Sequence, residues 1–341
     1  MVRIGIVGIG FMGRIHYLAS QRLQGAKVAA VCSRDQAKLS GDWRNTRGNF
    51  GPEPGAVDLT GVKKYASVAE LLKDPEIDLI DICTVTDQHA AIAIQALKAG
   101  KHVLVEKAIA LSTSDADAMV AAAKQARKLL MVAHVLPFFP EFKFAAESIR
   151  SGKYGPVQAA FFKRIIAKPD WSTDISDAAK TGGPAVDLHI HDTHFIGLVW
   201  GMPKKVFSTG NVEGDAVTYL TTSYLYGPGG PRVTCSSGAI CMPGRPFVHG
   251  YEIFMERACL IYDSGGTPLT QFTLDGKSTR PELPGGGDPL SAFMDEIQTA
   301  VEGVSSGKEP DLLSGQLARD ALVLCHRECE SVKTGKAVSV S

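Results

Sequence analysis

The 341-residue sequence lacks several things, and each shortage excludes a class of protein. It carries no excess charge: 36 Lys and Arg are matched by 36 Asp and Glu, with no long run of either sign. That balance excludes a nucleic-acid or membrane-surface binder held by electrostatics. Although 45% of the residues are hydrophobic, no apolar run approaches the length of a membrane helix. Cysteine is sparse, odd in number and scattered, at 32, 83, 235, 241, 259, 325 and 329. Cys325 and Cys329 have the spacing of one helix face, but no second pair completes a zinc site. The thiols are therefore expected to be reduced in a cytoplasmic protein. Met1-Val2-Arg3-Ile4-Gly5 enters a strand pattern at once, so no secretory leader is expected.

What is present is an alternation. Runs rich in Val, Ile and Ala at 3–7, 27–32, 78–83, 102–105 and 130–133 are separated by helical patterns at 11–23, 68–72, 89–99 and 112–127. Strands without polar alternation are buried on both faces, and helices between them imply parallel crossovers. The expectation is an α/β fold that opens with a doubly wound parallel sheet over residues 1–134. The Gly-, Pro- and Asn-rich stretch 41–61 reads as a long loop. From 135 to 341 the texture changes to α+β: a helix at 138–150, a strand at 156–166, an irregular stretch at 168–183, and four or five strands between 204 and 263. Strands at that spacing without helices predict an open, mostly antiparallel sheet. Two helices, at 289–305 and 314–334, close the chain, the last expected to pack back on the first domain.

The first strand runs into Gly8-Ile9-Gly10-Phe11-Met12-Gly13 and then a helix. In this strand–turn–helix setting each glycine serves a separate need. One permits a tight turn, one lets backbone approach a pyrophosphate, and one lets helix pack on strand. The amide groups and dipole of the helix start then favour the anion. Counting about 20 residues beyond Gly13, to where a ribose-binding carboxylate belongs, lands on Ser33. Ser33 followed by Arg34 suits a 2′-phosphate, through a hydroxyl and a bidentate guanidinium. NADP is therefore expected over NAD, with Asp35 as the alternative ribose partner. Arg44 and Arg47 in the long loop add positive charge near that end.

Three further stretches concentrate chemistry. Asp81-Ile-Cys-Thr84, followed by His89, forms the exit of the fourth strand. Glu106-Lys107 stands at the carboxyl end of the fifth, where open α/β sheets bind ligands. Gly182-Gly183 opens an apolar helix carrying Asp187, His189, His191, Asp192 and His194.

Taken in order, Gly8-x-Gly10-x-x-Gly13-x-x-His16, Cys83-Thr84 with His89, Glu106-Lys107, Gly182-Gly183…Asp187-x-x-x-His191 and Ser331-x-x-x-Gly335 resemble the Gfo/Idh/MocA oxidoreductase family across the whole chain. The resemblance implies a Rossmann domain followed by an open-sheet domain that carries substrate and oligomer contacts. It implies cofactor contacts from Gly8, Gly10, Phe11, Met12, Gly13, Ser33, Arg34, Thr84, His89, Glu106 and Lys107. Lys107 matches the family's catalytic lysine, and Asp187 and His191 its helix pair. His191 suits a base near neutrality, Lys107 a donor to a developing alkoxide, and Asp187 a partner for substrate hydroxyls or for the imidazole. The implied activity is a dehydrogenase or reductase acting on a secondary hydroxyl or ketone of a cyclic polyol, sugar or glycoside. Two alternatives stand beside it: an enzyme that retains its nicotinamide and cleaves or epimerises a glycoside by transient oxidation, and a non-catalytic cofactor-binding sensor.

The chain departs from the family at three places. Ala108 follows Lys107 where the family usually has proline, Pro137 stands where relatives often carry arginine, and His189 and His194 replace a glycine and an acid. No metal is expected, because His189 is out of phase with Asp187, His191 and His194, and a catalytic zinc needs three converging ligands. Lys163, Trp171 and His194 are candidate substrate contacts. A homo-oligomer formed through the open sheet is expected, with no nucleic-acid or membrane partner.

Overall fold

The computed structural model describes residues 1–168 and 177–340. It divides into two compact units: 1–138 with 287–319, and 139–286 with 320–341. The single break expected at 134/135 is therefore replaced by a chain that leaves the first unit and returns to it.

The first unit is a parallel sheet. Its strands are β1 (Val2–Val7), β2 (Ala26–Cys32), β3 (Lys63–Tyr65), β4 (Leu79–Ile82), β5 (His102–Glu106) and β6 (Leu130–Ala133). Among the described residues they lie in the order β3-β2-β1-β4-β5-β6. Every pair is parallel, as the unbroken apolar runs required. Helices α1 (Phe11–Ser20), α2 (Gln36–Leu39), α3 (Val68–Leu72), α4 (His89–Lys98) and α5 (Thr113–Ala126) form the crossovers. Asp35, Ser67 and Ser112 cap three of them, each accepting from backbone N–H groups of the first turn. Strand order reverses between β1 and β4, so the carboxyl ends of these strands frame the crevice where such sheets take ligands.

The 41–61 stretch is a loop, as expected, but it is packed rather than loose. Trp43 is buried, with its ring edge-on to Tyr17 at 4.8 Å. Arg14 donates to the carbonyl of Pro52 at 2.6 Å.

The second unit begins with α6 (Pro140–Arg150) and β7 (Val157–Ala167). Short helices α7 (Ala178–Thr181) and α8 (Pro184–Asp187) lead into α9 (Ile190–Trp200). Strands β8 (Lys205–Glu213), β9 (Ala216–Leu225), β10 (Arg232–Cys241), β11 (Val248–Met255), β12 (Ala258–Asp263), β13 (Thr267–Thr273) and β14 (Ser278–Thr279) follow. With β15 (Val338–Ser339) they make a nine-stranded sheet among the described residues, in the order β14-β13-β12-β11-β7-β10-β9-β8-β15. All its pairs are antiparallel except β7 with β10.

One face of this sheet is buried through Phe162, Tyr224, Val233 and Ile253. The residues of opposite parity, including Phe161, Phe207, Leu225, Ile240, Phe254 and Phe272, are exposed. Ser331 ties the end of the chain down: its hydroxyl accepts from Ser208 N–H at 2.8 Å and donates to the Lys336 carbonyl at 2.6 Å. Gly335 supplies the positive φ of 67° that ends the helix.

The helix that returns to the first unit is α10 (Ser291–Ser306), with the start of α11 (Gly315–Thr334). It lays Ala292, Phe293, Ile297, Ala300 and Val301 inward and packs against α1. The terminal helix, expected to do this, gives the first unit only its opening residues and continues into the second.

Candidate active site

The glycine loop in the first unit shows three different local needs. Gly8 has φ of 94°, which L side chains rarely adopt, and a Cβ there would lie 2.8 Å from the Cys83 carbonyl. At Gly13 a Cβ would come to 2.0 Å from the Gly8 carbonyl, so only glycine lets α1 sit this close to the strand exit. A Cβ on Gly10 would meet nothing within 4 Å. Gly10 is the N-cap of α1, without a side-chain cap and with no acid in the first turn. The amide groups there remain available to an anion.

Beside the loop, Thr84 Oγ1 is buried without a hydrogen-bond partner among the described residues. An open cradle and an orphaned hydroxyl at one strand exit fit a nucleotide pyrophosphate and ribose. Of the other loop residues, Phe11 turns its ring onto Phe50 at 4.7 Å, leaving its backbone for a ligand. Met12 is half-buried.

β2 ends at Cys32, so Ser33 and Arg34 stand where the count placed them. Arg34 is exposed. Ser33 Oγ accepts from Asp35 N–H at 3.1 Å, and Asp35 caps α2 through its carboxylate. Arg44, expected to add charge, instead pairs with Asp42 at 2.8 and 2.6 Å, while Arg47 is exposed.

At the ends of β4 and β5 the roles separate. His89 is buried, with Nδ1 2.8 Å from the Ala108 carbonyl and Nε2 3.1 Å from the Thr84 carbonyl. A neutral imidazole donates to only one of these two carbonyls. His89 stands between the exits of β4 and β5, facing a carbonyl of each. Burial pushes its pKa down. Glu106 is also turned inward: Oε1 lies 3.0 Å from His16 Nε2 and Oε2 accepts from the Lys107 N–H at 3.1 Å. Lys107 is half-buried, and the Lys107–Ala108 peptide is cis. Sequence reasoning overlooked Glu296, fully buried on α10. The available signal was its place on the apolar stripe with Ala292, Phe293, Ile297 and Ala300.

In the second unit, Gly182 and Gly183 have φ of 81° and 72°, and Pro184 starts α8. The continuous helix expected from there is split. His189 N–H bonds five residues back, to the Pro184 carbonyl at 3.0 Å, which loosens the turn before α9 begins. Asp187 and His191 stand on either side of this break. Both are half-buried, whereas Val186, His189, Ile190 and Asp192 are buried.

The neighbouring residues hold the segment. His189 Nδ1 lies 2.8 Å from Ser237 Oγ and Nε2 3.0 Å from Glu328 Oε2. Burial opposes its charge, but Glu328 and Cys235 together outweigh this and lift the His189 pKa well above the ordinary value. On the other side Arg164 donates to both oxygens of Asp192, at 2.7 and 3.1 Å. Arg164 and Glu328 were not singled out in the sequence, because each comes from an element distant along the chain.

Three expected substrate contacts fare differently. His194 is fully enclosed, and burial pushes its pKa down to about 3; it is a neutral core residue, which removes its expected contact. Lys163 lies on the opposite face of β7 from Arg164 and pairs with Asp263, so a substrate contact has no support within this unit. Trp171 lies outside the described residues.

Comparison with known proteins agrees with this geometry. Residues 2–134 match the family model described as "Oxidoreductase family, NAD-binding Rossmann fold". A myo-inositol 2-dehydrogenase from Thermotoga maritima is 25% identical, over 99% of this chain and 98% of its own length. Among solved structures, levoglucosan dehydrogenase in complex with NADH and levoglucosan superposes with a TM-score of 0.85 at 17% identity, over 99% of each chain. An oxidoreductase from Agrobacterium radiobacter, in complex with NAD+, L-tartaric acid and magnesium, gives 0.83 at 20% identity, over 99% of this chain and 98% of that one. At these identities the two structures share the fold. Among the described residues, no helix is long and apolar enough to cross a membrane.

Proposed function

We propose that the chain is a Gfo/Idh/MocA oxidoreductase, as the match of residues 2–134 supports, and that it oxidises a secondary hydroxyl, or reduces the matching ketone, of a cyclic polyol, sugar or glycoside, with NADP preferred over NAD. The glycine loop supports this most directly. Gly10 offers room for a phosphate at a helix start, and the buried Thr84 hydroxyl waits beside it. When bound, the nicotinamide supplies the two-electron chemistry.

This chain's residues do the rest. The amide groups at the start of α1 hold the pyrophosphate. Ser33 and Arg34 hold the 2′-phosphate, where an acidic residue would repel it. His191 takes the proton of the substrate hydroxyl at its imidazole. Lys107 donates a hydrogen bond to the oxygen on which charge develops. Asp187, one turn from His191, receives neighbouring substrate hydroxyls.

The exposed apolar face of the nine-stranded sheet supports a homo-oligomer built on that surface. Seven free cysteines support a reducing, cytoplasmic setting. The substrate class is supported by the name of the Thermotoga maritima relative, myo-inositol 2-dehydrogenase.

The test has two parts. Fluorescence titration with NADPH and NADH should favour NADPH, and Ser33→Asp should shift the preference toward NADH; unchanged relative affinities would place discrimination elsewhere. Turnover with NADP+ is then screened on myo-inositol, levoglucosan and related sugars. Lys107→Ala and His191→Ala should each abolish it while cofactor affinity stays within about threefold. Near wild-type rates in either variant would refute that residue's role.

A further inference from the structure

Inside the first unit, four titratable side chains from four elements meet behind the ends of β4 and β5. They are His16 on α1, Asp81 on β4, Glu106 on β5 and Glu296 on α10, all buried. His16 Nδ1 lies 3.1 and 3.0 Å from the two Asp81 oxygens, and its Nε2 lies 3.0 Å from Glu106 Oε1. Each ring nitrogen therefore faces a carboxylate oxygen. A neutral imidazole has one N–H and one lone pair, so it would set that lone pair against one of the carboxylates. The geometry suits an imidazolium that donates to Asp81 through Nδ1 and stands in ion-pair contact with Glu106 through Nε2, which makes no hydrogen bond among the described residues.

The surroundings agree. Burial opposes the charge on His16, but Asp81 and Cys83 together outweigh it and raise the pKa well above the ordinary value. Cys83 Sγ, 3.5 Å from His16 Nδ1, stays a neutral thiol because burial pushes its pKa far up. Burial also pushes the Glu296 carboxyl up, well above the ordinary carboxylate range. A cluster this buried is a costly way to fill space, since apolar side chains of similar volume are often at least as stable.

Its placement gives it a use. Glu106 has the His16 imidazole in ion-pair contact at one oxygen and accepts the Lys107 N–H on the other. We propose that His16 is a positioning residue for Lys107: by gripping Glu106 it fixes the peptide from which the Lys107 amine departs. The proposal rests on Lys107 being the substrate-contacting amine. His16 itself touches no substrate. Its effect passes through one carboxylate to one backbone N–H.

Two amide substitutions separate its two bonds. Glutamine places its amide nitrogen near the position of Nε2, within reach of Glu106; asparagine reaches only the Nδ1 side, toward Asp81. Both remove the charge. His16→Gln should keep kcat within about threefold, while His16→Asn should lower it about 10- to 100-fold, with KM and NADPH affinity unchanged. Turnover is measured on whichever of myo-inositol or levoglucosan the wild-type protein oxidises.

Equal losses in the two variants, or a loss that tracks thermal stability alone, would overturn the proposal. So would stoichiometric zinc in the purified protein held by His16, Asp81 and Cys83, whose ligand atoms lie within 4.8 Å of one another. Should His16→Asn not fold, Asp81→Asn replaces it: Glu106 remains held, so kcat within about threefold supports the proposal, and a loss as deep as that of Lys107→Ala refutes it. Lys107→Ala in the same assay keeps the two failures apart. If it retains turnover, the role of Lys107 has failed; if it is inactive while His16→Asn is normal, only the positioning role has.

Discussion

Alanine at two neighbouring glycines should have opposite consequences. At Gly13 a new Cβ would stand 2.0 Å from the Gly8 carbonyl oxygen, a backbone atom that cannot rotate away. The helix has to lift from the strand exit, an overpacking cost of about 1–3 kcal/mol. For a unit of this size that lowers the melting temperature by about 3–10 °C. At Gly10 nothing lies within 4 Å, and φ of −100° with ψ of −156° is open to alanine. Losing glycine at an N-cap costs a few tenths to about 1 kcal/mol, and the stiffer unfolded chain returns about 0.4–1 kcal/mol, so stability barely moves.

The methyl at Gly10 nevertheless stands over the helix start, where a phosphate would sit. Losing one charge-assisted hydrogen bond of about 1.5–3 kcal/mol weakens NADPH binding about 10- to 100-fold. Thermal melts without nucleotide and NADPH fluorescence titrations measure the two effects separately. Unchanged affinity in Gly10→Ala would mean that no phosphate approaches there. Equal destabilisation of both variants would refute the distinction between a packing glycine and a ligand-facing one.

Three other perturbations follow from buried groups. Burial raises the Glu296 pKa above its unfolded value of 4.5, so the stability its protonated form contributes is complete below pH 4.5 and is lost as pH rises through the folded value. Glu296→Gln should therefore melt above wild type at pH 8, with the gap closing toward pH 4.5; a pH-independent difference in calorimetry would contradict this. Arg164→Met leaves Asp192 buried without its bidentate partner, which should cost about 3–5 kcal/mol in denaturant unfolding. Phe142 packs edge-on against Phe195 and Tyr251, each at 5.2 Å. Phe142→Ala should cost about 3–5 kcal/mol, and a loss under about 1 kcal/mol would show that this aromatic cluster collapses around the gap.

Local pattern by itself determined most of the first unit. Apolar runs and helical intervals specify a parallel sheet because both use short-range periodicity, and the needs read for the three glycines reappear as a positive φ, an open Cβ direction and a close helix contact. Ser33 and Arg34 could be found by counting, since the interval from loop to strand end is set by one helix and one strand. Only the tertiary structure decided which face of an element a side chain meets and which distant residue it meets there.

His89, near the loop in sequence, lies buried between carbonyls of two strand exits. His194 falls inside the core, and Lys163 on the far side of its strand. Glu296 and Glu328 reach His16 and His189 from helices late in the chain. Such pairings join residues far apart along the chain, and no periodicity encodes a contact made across that distance.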